Sequence, residues 1–380
     1  MPAPSRWIAA AAGLFLGASP ALQAVVWQSD HWALTAAAEG GLGYDSNLFT
    51  RAGGIGDGYA VVIPTLVFKS LHSLTRLEAE ASVKSSAYFY LTELNTSDPS
   101  LVIRLRHPSD DEALATQEFE ARAGRSTDAN PEVGGRLRRD SYSAHWSGNI
   151  KPAGKLVVLP EAELGHTDYV TPGFNTNQSG AAGVTVAYLA NERLQLGTAY
   201  NFEYSRSRPD NPLETQTTGR RHLLAFRGRG EFLPKVSGNM LIGVSHNDYR
   251  GGFVRRDWDS VAAISLVWAA AARGTLTLKV DRTSYFSPNG SALTRSGLGL
   301  EWTQELKGGF YATVGADAAD VRYDPLTRND RSYGTQLRLR YALTERFSAS
   351  LNAGYTKQDS DDAFGNYERT TVFANLARKF

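Results

Sequence analysis

Residues 193–205 read Arg-Leu-Gln-Leu-Gly-Thr-Ala-Tyr-Asn-Phe-Glu-Tyr-Ser, and they alternate without a break. Leu194, Leu196, Thr198, Tyr200, Phe202 and Tyr204 share one parity; Gln195, Gly197, Ala199, Asn201, Glu203 and Ser205 share the other. A strand sends successive side chains to opposite faces, so this stretch makes one apolar wall and one polar wall. The pattern recurs over 346–356, where Phe347, Ala349, Leu351, Ala353 and Tyr355 oppose Ser348, Ser350, Asn352, Gly354 and Thr356. It recurs again over 332–343 and around Leu298, Leu300 and Trp302.

A soluble β-sandwich would alternate too, so length and turns decide. These runs are about 12 to 16 residues long, against about 5 or 6 for an ordinary strand. A tilted strand needs about 9 to 11 residues to cross an outer membrane. Short connections at 71–73, 151–154, 189–192, 233–235, 307–308 and 343–345 alternate with longer polar ones at 47–58, 126–139, 207–219, 250–257, 324–329 and 358–365. Short turns on one side and long loops on the other are a barrel pattern. The fold class expected is all-β: a transmembrane, antiparallel, up-and-down β-barrel of about 18 strands, with 16 as the other even count, and both termini in the periplasm. The segment 95–114 fits this scheme least well. Residues 101–105 read as a strand, and 108–112 as a turn or a periplasmic excursion.

Composition agrees. The 380 residues carry 40 Lys and Arg against 39 Asp and Glu, a net charge of +1, which lacks the basic excess of a nucleic-acid binder. There is no cysteine, so disulfides, thiolate metal sites, Cys nucleophiles and a lipidated N-terminal cysteine are excluded. Arg6, the apolar run 7–18 and Ser19-Pro20-Ala21-Leu22-Gln23-Ala24 form a secretory signal, cut after Ala24 or after Ala21. That leaves 25–380 as a single barrel domain. The run is shorter than the ~20 residues of a membrane helix, as is the apolar stretch 261–272, which reads as a lipid-facing strand running into a small-residue turn.

The last residues, Thr-Thr-Val-Phe-Ala-Asn-Leu-Ala-Arg-Lys-Phe, put Val372, Ala374, Leu376 and Phe380 on one face. This suits a closing strand that the barrel-assembly machinery reads, although Arg378 departs from the usual apolar residue. Closure joins the strand near 32–44 to this one, since an unsatisfied sheet edge in hydrocarbon costs several kcal/mol per amide. Trp27, Trp32, Tyr90, Tyr169, Trp258 and Tyr323 lie near strand ends, where aromatic belts meet lipid and lipopolysaccharide.

The polar faces must then line a wet lumen. Arg227, Arg229 and Glu231 share one face, as do Arg338 and Arg340. Lys279 and Asp281 alternate with Leu278 and Val280, and Glu301 pairs in parity with Glu305. Such rows either steer anions or pair across strands and keep the lumen hydrated. His166 with Asp168, and His246 with Asp248, imitate catalytic pairs, but they read as belt residues ahead of a loop. The clusters 109–112 and 360–362 lack calcium-loop spacing, and the glycine run 53–58 opens no helix. No catalytic residue, metal site or cofactor is assigned.

Residues 41–49, Gly-Leu-Gly-Tyr-Asp-Ser-Asn-Leu-Phe, close the first strand. Their Tyr44-Asp45-Ser46-Asn47 resembles the opening motif of the putative β-barrel porin 2 family and of related barrels encoded beside exopolysaccharide and exosortase genes. The resemblance implies an outer-membrane barrel with polysaccharide-export components as partners, and it names no solute. Tyr44 belongs in the outer belt, while Asp45 and Asn47 suit hydrogen bonding to the turning backbone. The function expected is a channel or translocation barrel for hydrophilic solutes. The alternative is a structural or surface-binding barrel that acts through long loops, above all 126–139.

Overall fold

The computed structural model describes residues 25–71, 74–110, 113–324, 326–344 and 347–379. Residues 1–24, expected to be a signal segment, and Phe380 of the closing motif lie outside the described residues. After a short β1 (Val25–Gln28) come β2 (Trp32–Asp45), β3 (Asp57–Ser70), β4 (Arg76–Tyr88), β5 (Thr96–His107) and β6 (Ala115–Asn130). Then follow β7 (Gly135–Ala153), β8 (Leu156–Tyr169), β9 (Thr176–Asn191), β10 (Leu194–Arg208), β11 (Thr217–Leu233) and β12 (Val236–Arg250). The chain finishes with β13 (Arg255–Ala271), β14 (Gly274–Phe286), β15 (Ala292–Glu305), β16 (Phe310–Asp324), β17 (Asn329–Ala342), β18 (Phe347–Ser360) and β19 (Tyr367–Lys379).

From β2 onward each strand pairs antiparallel with the next, and β19 returns to β2 from Thr371↔Asp45 to Lys379↔Ala37. Eighteen strands therefore close into a barrel, the number that the turn spacing predicts. The short β1 pairs with Ala33, Leu34 and Thr35 of β2, on the edge that β19 leaves free beyond Ala37. The N-terminal stretch covers a row of backbone amides instead of entering the lumen.

The two walls can be told apart by reach. Arg227 of β11 lies 3.5 Å from Glu161 of β8, three strands away, which only side chains on the concave face can manage. Its parity therefore points inward, and Leu224 (55% exposed) and Phe226 (44%) point outward. Register carries that assignment round the barrel. Leu266, Leu278 and Leu300, for example, are direct cross-strand neighbours on the outer wall.

Two expectations change. The polar stretch 126–139 is no loop: the β6–β7 ladder runs from Ser126↔Arg139 up to Asn130↔Gly135, leaving a turn at 131–134. Polar composition does not stop a ladder, because the backbone supplies the bonds and outward side chains beyond the apolar band stay solvated. The other long connections shrink likewise, to 209–216, 251–254, 325–328 and 361–366, with 46–56 the longest. This loop end still contrasts with the terminal end, where two-residue turns stand at 154–155, 192–193, 234–235 and 272–273. The uncertain segment resolves into β5 and a connection at 108–114.

The second change concerns the belts. Trp258 is 71% exposed on the outer wall, and Tyr44 and Trp27 are also exposed. Tyr90 sits in a connection rather than on a strand. Tyr169 and Tyr323 face inward, opposite Arg139 and Leu293, because their parity is that of the lumen wall. Apolar rings near strand ends do not reveal which wall they join; register does.

The two faces should respond differently to the same charge. In liposomes, Leu278→Arg on the outer wall is expected to lower folding stability by about 2–4 kcal/mol. Thr277→Arg, inward and opposite Glu301, should cost less than about 1 kcal/mol. Urea titration of folding into vesicles measures both, and equal losses would contradict the assignment of faces.

Candidate functional site

All eight lumen charges expected from the sequence stand on the concave wall, and most are partnered. Arg227 donates to Thr185 at 3.1 Å besides facing Glu161. Glu231 pairs with Arg193 at 3.1 Å, and Asp281 pairs with Arg295. Glu301 accepts from Gln336 at 3.1 Å, and Arg338 donates to Asn352 at 3.0 Å. The side chains of Arg229, Lys279 and Arg340 carry no hydrogen bond or ion pair among the described residues. The paired, hydrating reading of these rows therefore describes most of them better than an anion-steering one.

A denser network, unremarked in the sequence reading, crosses β4, β5 and β6. Arg104 bridges Glu78 and Glu120 at 2.9 Å each, Arg122 holds Glu120 at 2.7 Å, and Arg106 faces Glu118 at 3.5 Å. Its signal was there, in charges spaced two apart at 76–80, 104–106 and 118–122. Alternate cations and anions along neighbouring strands give a wall that is polar but nearly neutral.

The loop end is built differently, because two hairpins leave the wall. The β13–β14 ladder stops at Ala262↔Arg282, while β12–β13 continues to Tyr249↔Arg255 and β14–β15 to Phe286↔Ala292. The freed top of β14–β15 crosses the lumen. Arg221 of β11 donates to the Ser284 carbonyl at 3.3 Å, and the Tyr249 and Phe286 rings meet edge to face at 5.5 Å. The Asn175 amide donates to the Pro288 carbonyl at 2.7 Å, and Asn177 of β9 to the Ser287 carbonyl at 3.3 Å. Gly290 turns at φ 79°, where any Cβ would collide with the side-chain amide of Asn175. Where the wall parts, side chains replace the ladder: Arg282 holds Asp259 at 2.7 Å and the Ser260 carbonyl at 3.2 Å, and Arg255 pairs with Asp324.

The second hairpin is β6–β7. Its partner β5 stops pairing at Ser100↔Gly124, and the turn 131–134 leans inward to meet the first hairpin. Tyr285 donates to the Glu132 carboxylate at 3.4 Å, and Arg328 donates to the Glu132 carbonyl at 2.8 Å. The second carboxylate oxygen of Glu132 is buried and has no hydrogen-bond partner among the described residues. Burial, the largest influence, pushes this carboxyl up to about 7; Tyr285 and Arg328 pull the other way. Neither Glu132 nor Arg328 stood out in the sequence, because both lie in turns without period.

The Tyr44-Asp45-Ser46-Asn47 motif locks the seam. Tyr44 points outward, and buried Asp45 takes a bidentate bond from Arg369 of β19, at 3.0 and 2.6 Å. Asp45 also accepts the Asn47 amide at 2.9 Å, while Ser46 accepts the Thr370 amide at 2.7 Å. The Asn47 side chain then donates to the carbonyls of Arg51 and Glu368. On β19, Val372 and Leu376 are exposed on the outer wall, with Ala374 between them on the same parity. The two His-Asp pairs also face out. His166 neighbours Tyr142 at 6.0 Å and His246 meets Trp258 edge-on at 5.0 Å, while Asp168 holds Thr176 and Asp248 holds Arg250. They are spent on belt and collar contacts.

Residues 225–380, from within β11 to the C-terminus, match the family model described as putative beta-barrel porin 2. It is the family that the Tyr44–Asn47 motif resembles, although the motif lies outside the matched residues. No curated protein sequence matches the chain. Among solved structures, OccK2 (OpdF) of Pseudomonas aeruginosa is similar with a TM-score of 0.50 at 10% identity, over 92% of this chain and 97% of that one. The FrpB iron transporter of Neisseria meningitidis gives 0.50 at 8% identity over 88% of this chain, which spans only 63% of that transporter. At such identity the likeness concerns the fold alone.

The seam contacts predict coupling. Asp45→Ala and Arg369→Ala should each lower stability by about 1–3 kcal/mol, since each strands a partly buried charge. The double variant should lose clearly less than the sum. Urea midpoints of the refolded barrel decide, and additive losses would mean that the pair is not coupled.

Proposed function

We propose that the chain is an outer-membrane channel through which hydrophilic solutes pass along the polar concave wall. In this reading residues 1–24 direct export and are removed, the loop end faces outside the cell, and both ends of the barrel lie in the periplasm. The carrying observation is the pairing of a continuous apolar outer wall with a charged but balanced inner one in a closed ladder. Hydrated solutes meet hydrogen-bonding groups along the lumen, and net charge does not exclude either sign. Barrel-assembly machinery would read the outward Val372, Ala374 and Leu376. Polysaccharide export is the finer form of this proposal, resting on the resemblance at Tyr44–Asn47. The surface-binding alternative has lost its basis in 126–139, now mostly strand.

The crossing hairpins make the channel a gated one. In planar bilayers the wild-type barrel should conduct weakly. Gly290→Val, which drives a side chain into Asn175, should undock the tip and raise conductance several-fold. Absence of current from both proteins, with folding verified by gel migration before and after heating, would sink the channel reading.

The gate should also answer to pH. Glu132 is faced by Tyr285 of β14, Tyr323 of β16, Arg328 just before β17, Asp330 at its start, Arg139 of β7 and Tyr169 of β8. A carboxyl raised from 4.5 to about 7 in the closed state binds its proton more tightly there than when exposed. Closure is thus fully favoured below 4.5 and weakens as pH rises to about 7, by roughly 3 kcal/mol in total. Open probability should climb between about pH 5 and about pH 8, and Glu132→Gln should flatten that climb. An unchanged pH profile in Glu132→Gln would assign the dependence to another group.

A further inference from the structure

Between the crossing hairpin and the wall of β7 to β12 lies a cavity of about 320 Å³. We propose that it binds a neutral, hydroxyl-rich ring, a mono- or disaccharide, on the path through the barrel. The inference rests on the reading of the lumen as a solute route and adds a substrate class to it. The volume falls at the small end of ligand sites.

Three features of the lining set the chemistry. The first is a surplus of acceptors. The side-chain oxygen of Asn177 on β9 is buried with no donor among the described residues, and Asn177 lines the cavity. The Asn201 and Asn247 oxygens, on β10 and β12, are likewise buried without a donor among the described residues; they lie on the same concave wall but outside the cavity lining. A buried amide oxygen left unmatched is costly, and a ligand O–H reaching Asn177 would satisfy it. The second is the set of rings. Tyr169, Tyr249, Tyr285 and Phe286 all border the space, and flat aromatic faces suit the C–H side of a pyranose while its hydroxyls turn to the polar rim.

The third is charge. Arg221 is committed to Glu203 at 2.5 Å and to the Ser284 carbonyl, and Arg139 to Ser126 at 3.0 Å beside Glu132. With these two guanidinium groups engaged and Arg220 on the outward parity of β11, little remains to hold an anion. Serine hydroxyls on β7, β9 and β10 complete a lining that can both donate and accept. The same hairpin that narrows the mouth therefore supplies one side of the binding surface, through Ser284, Tyr285 and Phe286, so a bound ring would touch the gate and the wall together.

Isothermal titration calorimetry on the full barrel in a sugar-free detergent tests this without requiring an open channel. The probes are maltose, lactose, sucrose and galactose, with glucuronate as the charged comparator. At least one neutral sugar should bind saturably with Kd on the order of 1 mM. Asn177→Leu and Tyr249→Ala should weaken it tenfold or more, while Tyr285→Phe, which keeps its ring, should not. Heat-dependent gel migration checks that each variant is folded; should Tyr249→Ala not fold, Asn177→Leu alone decides. The proposal is overturned if none of the neutral sugars saturates, if glucuronate binds tenfold more tightly than all of them, or if folded Asn177→Leu binds as wild type. A barrel that conducts yet binds no sugar loses this inference alone, and one that binds sugar without conducting loses the channel instead.

Discussion

The structure depends on one requirement: every backbone amide within the wall must find a partner inside the sheet. Hydrocarbon offers none, and a single open edge would cost several kcal/mol per residue. The seam between β2 and β19 is where that requirement is hardest to meet, because the two strands are joined by no turn. It is reinforced at both ends. The short β1 covers the edge where β19 runs out, and the Asp45–Arg369 pair with the Ser46 and Asn47 bonds fastens the other end.

Once the ladder is closed, the faces follow from parity, and parity assigns the chemistry. The outer wall is apolar because nothing there can pay for a bare charge, and the inner wall is charged because water and neighbouring strands satisfy it. The Glu78–Arg104–Glu120–Arg122 series meets both needs, as Arg104 has a carboxylate on each adjacent strand and Arg122 holds Glu120 on its own. The departures from the ladder are local. Where β14 leaves β13, Arg282 binds the Ser260 carbonyl and thereby occupies an acceptor that the missing strand would have used.

Much of this architecture was legible in the chain. Alternation over 193–205 and 332–356, short turns at one end and the terminal Val372–Leu376 parity carry the fold, the strand number and the eight lumen charges. The motif at 44–47 pointed to backbone capping, and its side chains bond the backbone. Three things stayed hidden, each for a physical reason. Loop length was overestimated at 126–139, since solvated strands look like loops in composition. The wall joined by Tyr169 and Tyr323 was misjudged, since aromatic identity carries no parity. The crossing hairpins were invisible, since the meeting of Glu132 with Tyr285 and Arg328 joins residues 153 and 196 positions apart, and no local pattern encodes such a contact.

The way the β14–β15 hairpin leaves the wall separates two energy scales. It keeps its full ladder with β16 and has given up only the upper part of its pairing with β13. Swinging it outward would therefore break a handful of side-chain contacts and the Asn175–Pro288 backbone bond, each worth about 1 kcal/mol, and no interstrand ladder. Such a tongue can flicker on the microsecond-to-millisecond scale of loop and lid motions, while the frame that carries it persists for as long as the barrel stays folded. One continuous sheet thus supplies both a permanent enclosure and its moving part, with no hinge domain between them.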